Sequence, residues 1–343
     1  MAKVSVQILT WNSIKYIGDC LASLAKQSFE DFSVMVVDNG SSDGTVEFVR
    51  VNYPTVSVLQ NFKNLGYAKG NNQGIKLAKS IYVLVINPDV ILESDYLKKM
   101  VNFADQHPEA GSFGGKILKL YTQAYDKNDQ AGLRQSIKSD VIDSTGLEIY
   151  RSRKAVDRGE GQKDEGQYNS TQEVFGITGA AVMYRKSALE ETAVNGQYFD
   201  NDFFAYKEDV DLAWRLRLYG FSSWYVPVAV CYHHRRLSAD ASAHGLKKIT
   251  KHRKQVSKIL RSISLKNHHL LIIKNDQWSN LFYNLPWFLG REIPMIGYSF
   301  LLEFFQWKTF FTFLKQLPSA IRKRRIIMSH RKVSTQEIRK WFK

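Results

Sequence analysis

A chain of 343 residues with 44% apolar and 24% charged residues, seven prolines and two cysteines has ordinary globular composition, which excludes a disordered, collagen-like or disulfide-scaffolded protein. Cys20 and Cys231 fall in no CxxC or Cys/His spacing, which points to a reducing compartment and away from a structural zinc site. The net charge of +15 is unevenly placed: residues 1–244 carry 27 Lys/Arg against 29 Asp/Glu, whereas residues 245–343 carry 21 against 4. A neutral globule followed by a basic attachment predicts contact with a polyanionic surface, nucleic acid or anionic lipid.

Met1–Thr10 runs straight into a strand pattern without an apolar signal region, so a cytosolic protein is expected. Strands are predicted at Val4–Leu9, Val34–Val37, Val56–Leu59 and Ile81–Ile86, all nearly continuous in apolarity. Such strands are buried on both faces, as in a parallel sheet covered by helices. Helical patterns lie between and after them, near 14–26, 44–52, 68–79 and 94–106. The alternation predicts a doubly wound α/β sheet, whose ligands bind beyond the carboxyl ends of its strands. From Tyr121 to Glu173 the chain turns polar, and a surface excursion of hairpins and loops is expected. A strand is then predicted at Val174–Tyr184, a helix at Asp209–Leu218 closed by Gly220, and a strand at Ser223–Val230.

The remainder changes character. Lys247 to Arg261 reads as a basic helix, and Trp278 to Leu317 is crowded with Trp, Phe, Leu and Ile, with Pro286 and Pro294 expected to break its helices. Its longest uncharged run, which starts at Gln277, is too short to span a bilayer. Aromatic helices flanked by Arg322–Arg325 and Arg331-Lys332 suit the interface of an anionic membrane. The face is not clean: Ser299, Glu303 and Gln306 share one side, and Lys308 and Lys315 lie nearly opposite. A helical tail packed on the globule, or on a second subunit, is the plainer alternative.

The strand ends carry the chemistry. The first ends at Leu9-Thr10-Trp11-Asn12 and the second at Val37-Asp38-Asn39-Gly40, followed by Ser41-Ser42-Asp43-Gly44-Thr45. Asp38, at a sheet edge, can accept hydrogen bonds from a base or a ribose, whereas Asp43 reads as a helix cap. The third leads into Asn64-Leu65-Gly66-Tyr67-Ala68-Lys69-Gly70-Asn71, where glycines, a helix N-terminus and Lys69 favour a phosphate. The loop is neither GxGxxG nor a Walker loop, which tells against a Rossmann dehydrogenase or a P-loop ATPase. The fourth ends in Asn87-Pro88-Asp89, where an amide oxygen and a carboxylate suit a hard divalent cation, or simply make a turn. Glu208, Asp209 and Asp211 open a helix, as first-turn acids or as a general base with its supports. His233-His234 closes a strand, as metal ligand, phosphate contact or structural pair.

Together and in this order, the segments resemble the family 2 glycosyltransferases with a GT-A fold, especially the bacterial rhamnosyltransferase-like branch. The resemblance rests on Val-Ser-Val-Gln-Ile-Leu-Thr-Trp-Asn, Val-Asp-Asn-Gly-Ser-Ser-Asp-Gly-Thr, Asn-Leu-Gly-Tyr-Ala-Lys-Gly-Asn-Asn-Gln-Gly and Asn-Pro-Asp. It continues through Gly176-Ile-Thr-Gly179-Ala-Ala-Val-Met-Tyr-Arg and Phe-Phe-Ala-Tyr-Lys-Glu-Asp-Val-Asp-Leu, covering residues 3 to about 236. It implies a nucleotide-diphospho-sugar transferase fold, a Rossmann-like mixed sheet flanked by helices, over residues 1–244. Residues 245–343 then form a helical, basic, membrane-associating extension.

The resemblance also implies roles. Asp38 would hold the donor base with Thr10, Asn12 and Asn39 around it, and Gly66, Lys69, Asn71 and Asn87 would complete the donor nucleotide site. Asn87-Pro-Asp89 would stand in for the family's Asp-x-Asp motif, with Asp89 and His233 as ligands of Mg²⁺ or Mn²⁺. Asn87 replaces the first acid of that motif. Asp209 would be the general base, with Glu208 and Asp211 in support, and Gly179, Ala180 and Trp214 would lie on the acceptor side. The activity implied is inverting transfer of L-rhamnose from dTDP-rhamnose, or of a hexose from a UDP-sugar, to a polyprenyl-diphosphate-linked or cell-surface glycan. The implied place is the inner face of the cytoplasmic membrane, with a homodimer left open. Three other readings are weighed. A nucleic-acid-binding protein needs aromatics interleaved with basic residues, and here they cluster in apolar runs, so no nucleic-acid partner is expected. A catalytically silent GT-A scaffold is disfavoured by the presence of all three acidic positions. A sugar nucleotidyltransferase needs a Gly-rich loop after the first strand, where Thr10-Trp11-Asn12-Ser13 stands.

Overall fold

A computed structural model describes residues 1–124, 134–234 and 257–343. The predicted rhythm is present: β1 (Val4–Thr10), α1 (Ile14–Ala25), β2 (Phe32–Asp38), α2 (Thr45–Asn52), β3 (Ser57–Gln60), α3 (Tyr67–Leu77), β4 (Tyr82–Ile86), β5 (Val90–Leu92) and α4 (Tyr96–Gln106). In α1 the apolar residues recur at helical spacing, so Ile17, Cys20, Leu21 and Leu24 are buried against the sheet. Gly70 and Gly74 sit one turn apart on the inner side of α3. A Cβ on Gly70 would lie 2.4 Å from Leu9 Cδ1, and one on Gly74 would lie 2.5 Å from Gln7 Cδ. Their smallness lets the helix lie directly on β1.

Then come β6 (Ala110–Ala124), β7 (Arg134–Ser144), β8 (Leu147–Ile149), β9 (Ala155–Asp157), β10 (Gln172–Glu173), β11 (Ala181–Arg185), α5 (Lys186–Thr192), α6 (Glu208–Leu218) and β12 (Ser222–His233). The main sheet has ten strands in the order β10-β12-β6-β11-β4-β1-β2-β3, with β5 also paired to β12 and β7 to β6. Strands β1 to β4 are parallel, and β11 runs antiparallel between β4 and β6. The architecture is therefore the mixed α/β sheet flanked by helices.

The hairpins expected after Tyr121 are present: β7 pairs antiparallel with β6, and β8 with β9. Two other expectations need correction. The strand foreseen at Val174–Tyr184 begins only at Ala181, because residues 174–180 form a loop. Pro294 does not break a helix but lies inside one, whereas Pro286 starts it.

The tail comprises α7 (Lys258–Asn275), α8 (Trp278–Tyr283), α9 (Leu285–Leu302), α10 (Gln306–Ser329) and α11 (Thr335–Arg339). Most of the expected basic helix at 247–261, and Arg235-Arg236, lie outside the described residues. The tail shares a core with the globule: Leu270, Leu271, Ala320, Ile327 and Phe342 join one buried cluster with Phe203, Val210, Trp214 and Leu218. Ion pairs cross the same boundary. Lys274 and Lys323 bind Asp200, Lys274 also lies 2.9 Å from Asp211, and Arg153 lies 2.7 Å from Asp276.

Candidate active site

Parallel register places the ends of β1 and β2 side by side, with Thr10 opposite Asp38. Thr10 donates to Asp38 Oδ1 at 2.8 Å and Ser41 Oγ donates to the same oxygen at 2.5 Å, while the Gly40 and Ser41 amides donate to Oδ2 at 3.0 and 2.8 Å. A carboxylate offers about four acceptor sites, and here all are taken. Fully buried Asp38 therefore shapes the 38–41 turn, and a base held by it directly would have to share those sites. Asn12, with a φ of 50°, accepts from the Ser42 amide at 2.9 Å. The Asn39 amide group donates to Gly66 O at 3.1 Å and accepts from Asn61 at 3.1 Å. Asp43 accepts from the amides of both Ile14 and Thr45, so it holds the starts of α1 and α2 together.

Thr10, Asn12, Asp38, Asn39 and Gly66 thus converge on one strand-edge network. Asn71 does not join it. It is fully buried, with Gln7 Nε2 donating to its Oδ1 at 2.8 Å, so it ties α3 to β1. Lys69 is exposed. Trp11, 57% exposed beside Asn12, is an aromatic face at this edge that motif reading passed over.

Beyond β4, the Asn87 amide donates to Ala180 O at 2.9 Å, and Asp89 follows. His233, at the end of β12, pairs in register with Val90 and Lys119. Its Nδ1 lies 2.8 Å from Asp143 Oδ2 and its Nε2 lies 3.3 Å from Asp89 Oδ1. Burial opposes charge on the imidazole, but the contacts to Asp143 and Asp89 outweigh it and raise its pKa to about 9. Among the described residues, no group makes a well-formed hydrogen bond to buried Asp89 Oδ1. That oxygen and an imidazole nitrogen oriented by a second carboxylate fit a divalent cation, which would displace the proton the imidazole otherwise holds towards Asp89. Among the described residues, no three His, Cys, Asp or Glu side chains form a metal cage. Asp143 carried no sequence signal, because it comes from a different strand.

The third part stands at the start of α6. Asp209 is half-buried, and its Oδ2 accepts from the Gly179 amide at 3.0 Å while Oδ1 accepts from the Val210 amide at 2.8 Å. Burial raises its pKa, against the pull of the Gly179 bond. Glu208 is buried deeper, its Oε2 has no hydrogen-bond partner among the described residues, and burial with Asp209 alongside pushes its pKa up to about 8. Tyr67 donates to Gly179 O at 2.7 Å. Residues 179–180 consequently bridge the two halves of the site, with Gly179 on Asp209 and Ala180 on Asn87.

Asp211 and Trp214 point elsewhere. Asp211 is fully buried, paired with Arg215 at 3.2 Å and Lys274 at 2.9 Å. Trp214 packs in the core against Phe175 and Phe342. Residues on a helix two and five positions beyond Asp209 face the interior when the whole helix is enclosed, so both side chains lie in the core rather than beside the Asp209 carboxylate.

The model of the family described as Glycosyl transferase family 2 matches residues 5–193, and that of Glycosyl transferase family group 2 matches residues 154–321. The N-acetylglucosaminyl-diphospho-decaprenol L-rhamnosyltransferase of Mycobacterium tuberculosis is 29% identical over 252 residues, covering 70% of this chain and 79% of that protein. Among solved structures, Staphylococcus aureus TarS 1–349 in complex with UDP-GlcNAc aligns with a TM-score of 0.55 and 22% identity, over 93% of this chain and 81% of that one. Against a longer TarS structure, this chain spans 50% of the other's length. A mannosyltransferase of Pyrobaculum calidifontis in complex with GDP-Man and Mn²⁺ aligns with a TM-score of 0.52 and 14% identity, over 96% and 86%. With its mixed sheet, its strand-edge network and a family match over more than half its length, the chain belongs to glycosyl transferase family 2 and is a glycosyltransferase.

Proposed function

We propose that this glycosyltransferase moves a sugar, with inversion, from a nucleoside diphosphate to a hydroxyl of a polyprenyl-diphosphate-linked glycan, with L-rhamnose from dTDP-rhamnose as the first donor and UDP-hexoses as the second. The observation that carries the reading is the bridge from Asp209 through Gly179 and Ala180 to Asn87, which sets a raised-pKa carboxylate beside the strand edge where a donor diphosphate belongs. The rhamnosyl relative supports the donor and acceptor classes, and TarS with UDP-GlcNAc supports nucleotide-sugar binding.

Asp209 takes the proton of the acceptor hydroxyl as its oxygen forms the new anomeric bond, and the old bond breaks towards the diphosphate with its electron pair. Direct attack from the opposite face inverts the anomeric centre, so no covalent nucleophile is needed. Asp89 and His233 are the residues to hold Mg²⁺ or Mn²⁺, which when bound supplies charge neutralisation at the departing diphosphate. Glu208, its pKa pushed up to about 8, holds its proton near pH 7, whereas the Gly179 amide bond favours the charged form of Asp209 against its burial.

The tail supports work at a membrane surface. Among the described residues no helix is long and apolar enough to cross a membrane. Yet Trp278, Phe282, Trp287, Leu301, Phe304 and Phe311 are each at least half exposed. Both acids of this segment turn inward: Glu292 lies 2.9 and 3.0 Å from His268 and His269, and Glu303 pairs with Arg261. Lys308, Lys315, Arg322 and Arg325 stay exposed. An apolar face whose exposed charges are all positive fits an anionic bilayer, and it repels a second copy of itself.

Purified protein with Mg²⁺ or Mn²⁺, a panel of dTDP-, UDP- and GDP-sugars and a polyprenyl-diphosphate glycan acceptor tests the reading. Transfer from one donor, lost by 100-fold or more in Asp209→Asn with donor binding kept, is expected. Full turnover by Asp209→Asn would remove Asp209 as the base.

A further inference from the structure

The backbone that delivers Asp209 to the site is unusual. Phe204, Tyr206 and Lys207 have φ of 62°, 68° and 72°, values that residues with side chains adopt only where their surroundings impose them. Phe204 and Tyr206 are 41% and 49% exposed, so burial of their rings does not fix the segment. Its backbone is held from two directions instead. On one side the Ala68 amide donates to Phe204 O at 3.2 Å, and Gly66 lies so close that a Cβ there would come within 2.5 Å of the Phe204 ring. On the other side, among the described residues, stands a single tail residue. Asn267 on α7 is fully buried, and its Nδ2 lies 2.8 Å from Phe203 O, 2.9 Å from Ala205 O and 2.7 Å from Tyr206 O, so its two N–H bonds serve three carbonyls, one of them shared.

We propose that Asn267 is a positioning residue for catalysis: its amide clamps the 203–207 segment in the left-handed path that aims Asp209 at the acceptor. The inference rests on Asp209 being the base. Three carbonyls of one short segment converge on one amide, and the segment ends one residue before Glu208-Asp209. The rest of α7 is anchored on both flanks of that segment. Lys266 donates to Asp202 O at 2.6 Å, Lys274 binds Asp200, and Asn275 donates to Asp211 Oδ1 at 2.7 Å. Asn267 therefore works from a rigid base, and helix α7 belongs to the catalytic apparatus although it lies in the basic tail. Without the clamp the segment relaxes towards ordinary φ values and the carboxylate moves. Misplacement of a reacting group by about 1 Å costs on the order of 100-fold in rate.

The test compares Asn267→Ala and Asn267→Asp with Asn280→Ala in the full chain. Asn280 is an equally buried tail asparagine that donates to Thr335 O at 3.0 Å, away from the segment. Asn267→Ala is expected to lower kcat by about 10- to 100-fold with donor KM and donor binding within twofold of the parent. Asn267→Asp, which presents a carboxylate to three carbonyls, should be at least as impaired. Asn280→Ala should lower the melting temperature while keeping kcat. A kcat within twofold of the parent in Asn267→Ala overturns the proposal, and so does a parallel loss of kcat and donor binding. If Asn267→Ala does not fold, Asn267→Ser, which keeps one donor, is judged by the same two criteria. An inactive Asp209→Asn beside a fully active Asn267→Ala would sink the clamp alone, whereas an active Asp209→Asn would sink the base assignment.

Discussion

His233 Nδ1 lies 2.8 Å from Asp143 Oδ2, a contact between β12 and β7 that turns the ring so that Nε2 faces Asp89. Asp143 acts through the histidine, and it can be separated from Asp89 by experiment. Asp89→Asn should abolish the response of turnover to Mn²⁺. Asp143→Asn should keep it but weaken metal affinity by about 10- to 100-fold. Titration of Mn²⁺ by electron paramagnetic resonance, with chelator and re-addition as the activity control, reads both. Equal affinity in Asp143→Asn and the parent would assign Asp143 to the fold.

Glu208 makes stability depend on pH in a defined direction. Its folded pKa is raised to about 8, so between the ordinary carboxyl range and pH 8 the folded chain holds a proton that the unfolded chain has released. Stability therefore falls as pH rises through that window. Glu208→Gln removes the term. The variant should be more stable than the parent by a few kcal/mol at pH 8, with the difference vanishing near pH 4. Urea melts at both pH values measure it. A Gln variant less stable at pH 8 would mean that the carboxylate has a cationic partner in the folded state.

Asp211 and Asp209 lie two residues apart and should fail in opposite ways. Asp211 pairs with buried Arg215 and shares buried Lys274 with Asp200, so Asp211→Ala strips Arg215 of its carboxylate and should cost about 3–5 kcal/mol. Asp209→Asn should unfold near the parent's midpoint and lose turnover instead. Denaturation midpoints beside single-turnover rates separate the two.

Association with lipid should follow charge and apolar contact together. Vesicles of phosphatidylglycerol should sediment the protein, those of phosphatidylcholine much less, and added salt should weaken the binding. Lys308→Glu combined with Lys315→Glu should reduce it by about 30-fold or more, since each basic residue near the surface contributes about 1 kcal/mol. A concentration-dependent dimer that excludes vesicles would identify a second copy as the occupant of the face.

The α/β alternation and the strand edges were legible in the sequence because continuous apolar strands and period-3.6 helices are local patterns. Thr10, Asp38, Asn87 and Asp209 could be picked out because each stands at the end of an element. Asn71, Asp211 and Trp214 were misplaced for one reason. Motif membership does not say which side of a helix faces the ligand, and α3 and α6 turn these side chains into the interior. The tail's unclean face had a similar cause. Glu292 and Glu303 look like surface interruptions until α7 supplies His268, His269 and Arg261 to bury them.

By itself, then, the sequence determined the class of sheet, the family resemblance and the division into a neutral globule and a basic aromatic tail, because composition and periodicity act along the chain. Only the tertiary structure decided that Asp143 contacts His233, that residues 179–180 join Asp209 to Asn87, and that Asn267 contacts the segment before Asp209. Those contacts join residues from 30 to about 90 positions apart. A hydrogen bond closed over such a distance depends on the sheet order and on the docking of α7, neither of which any local pattern encodes.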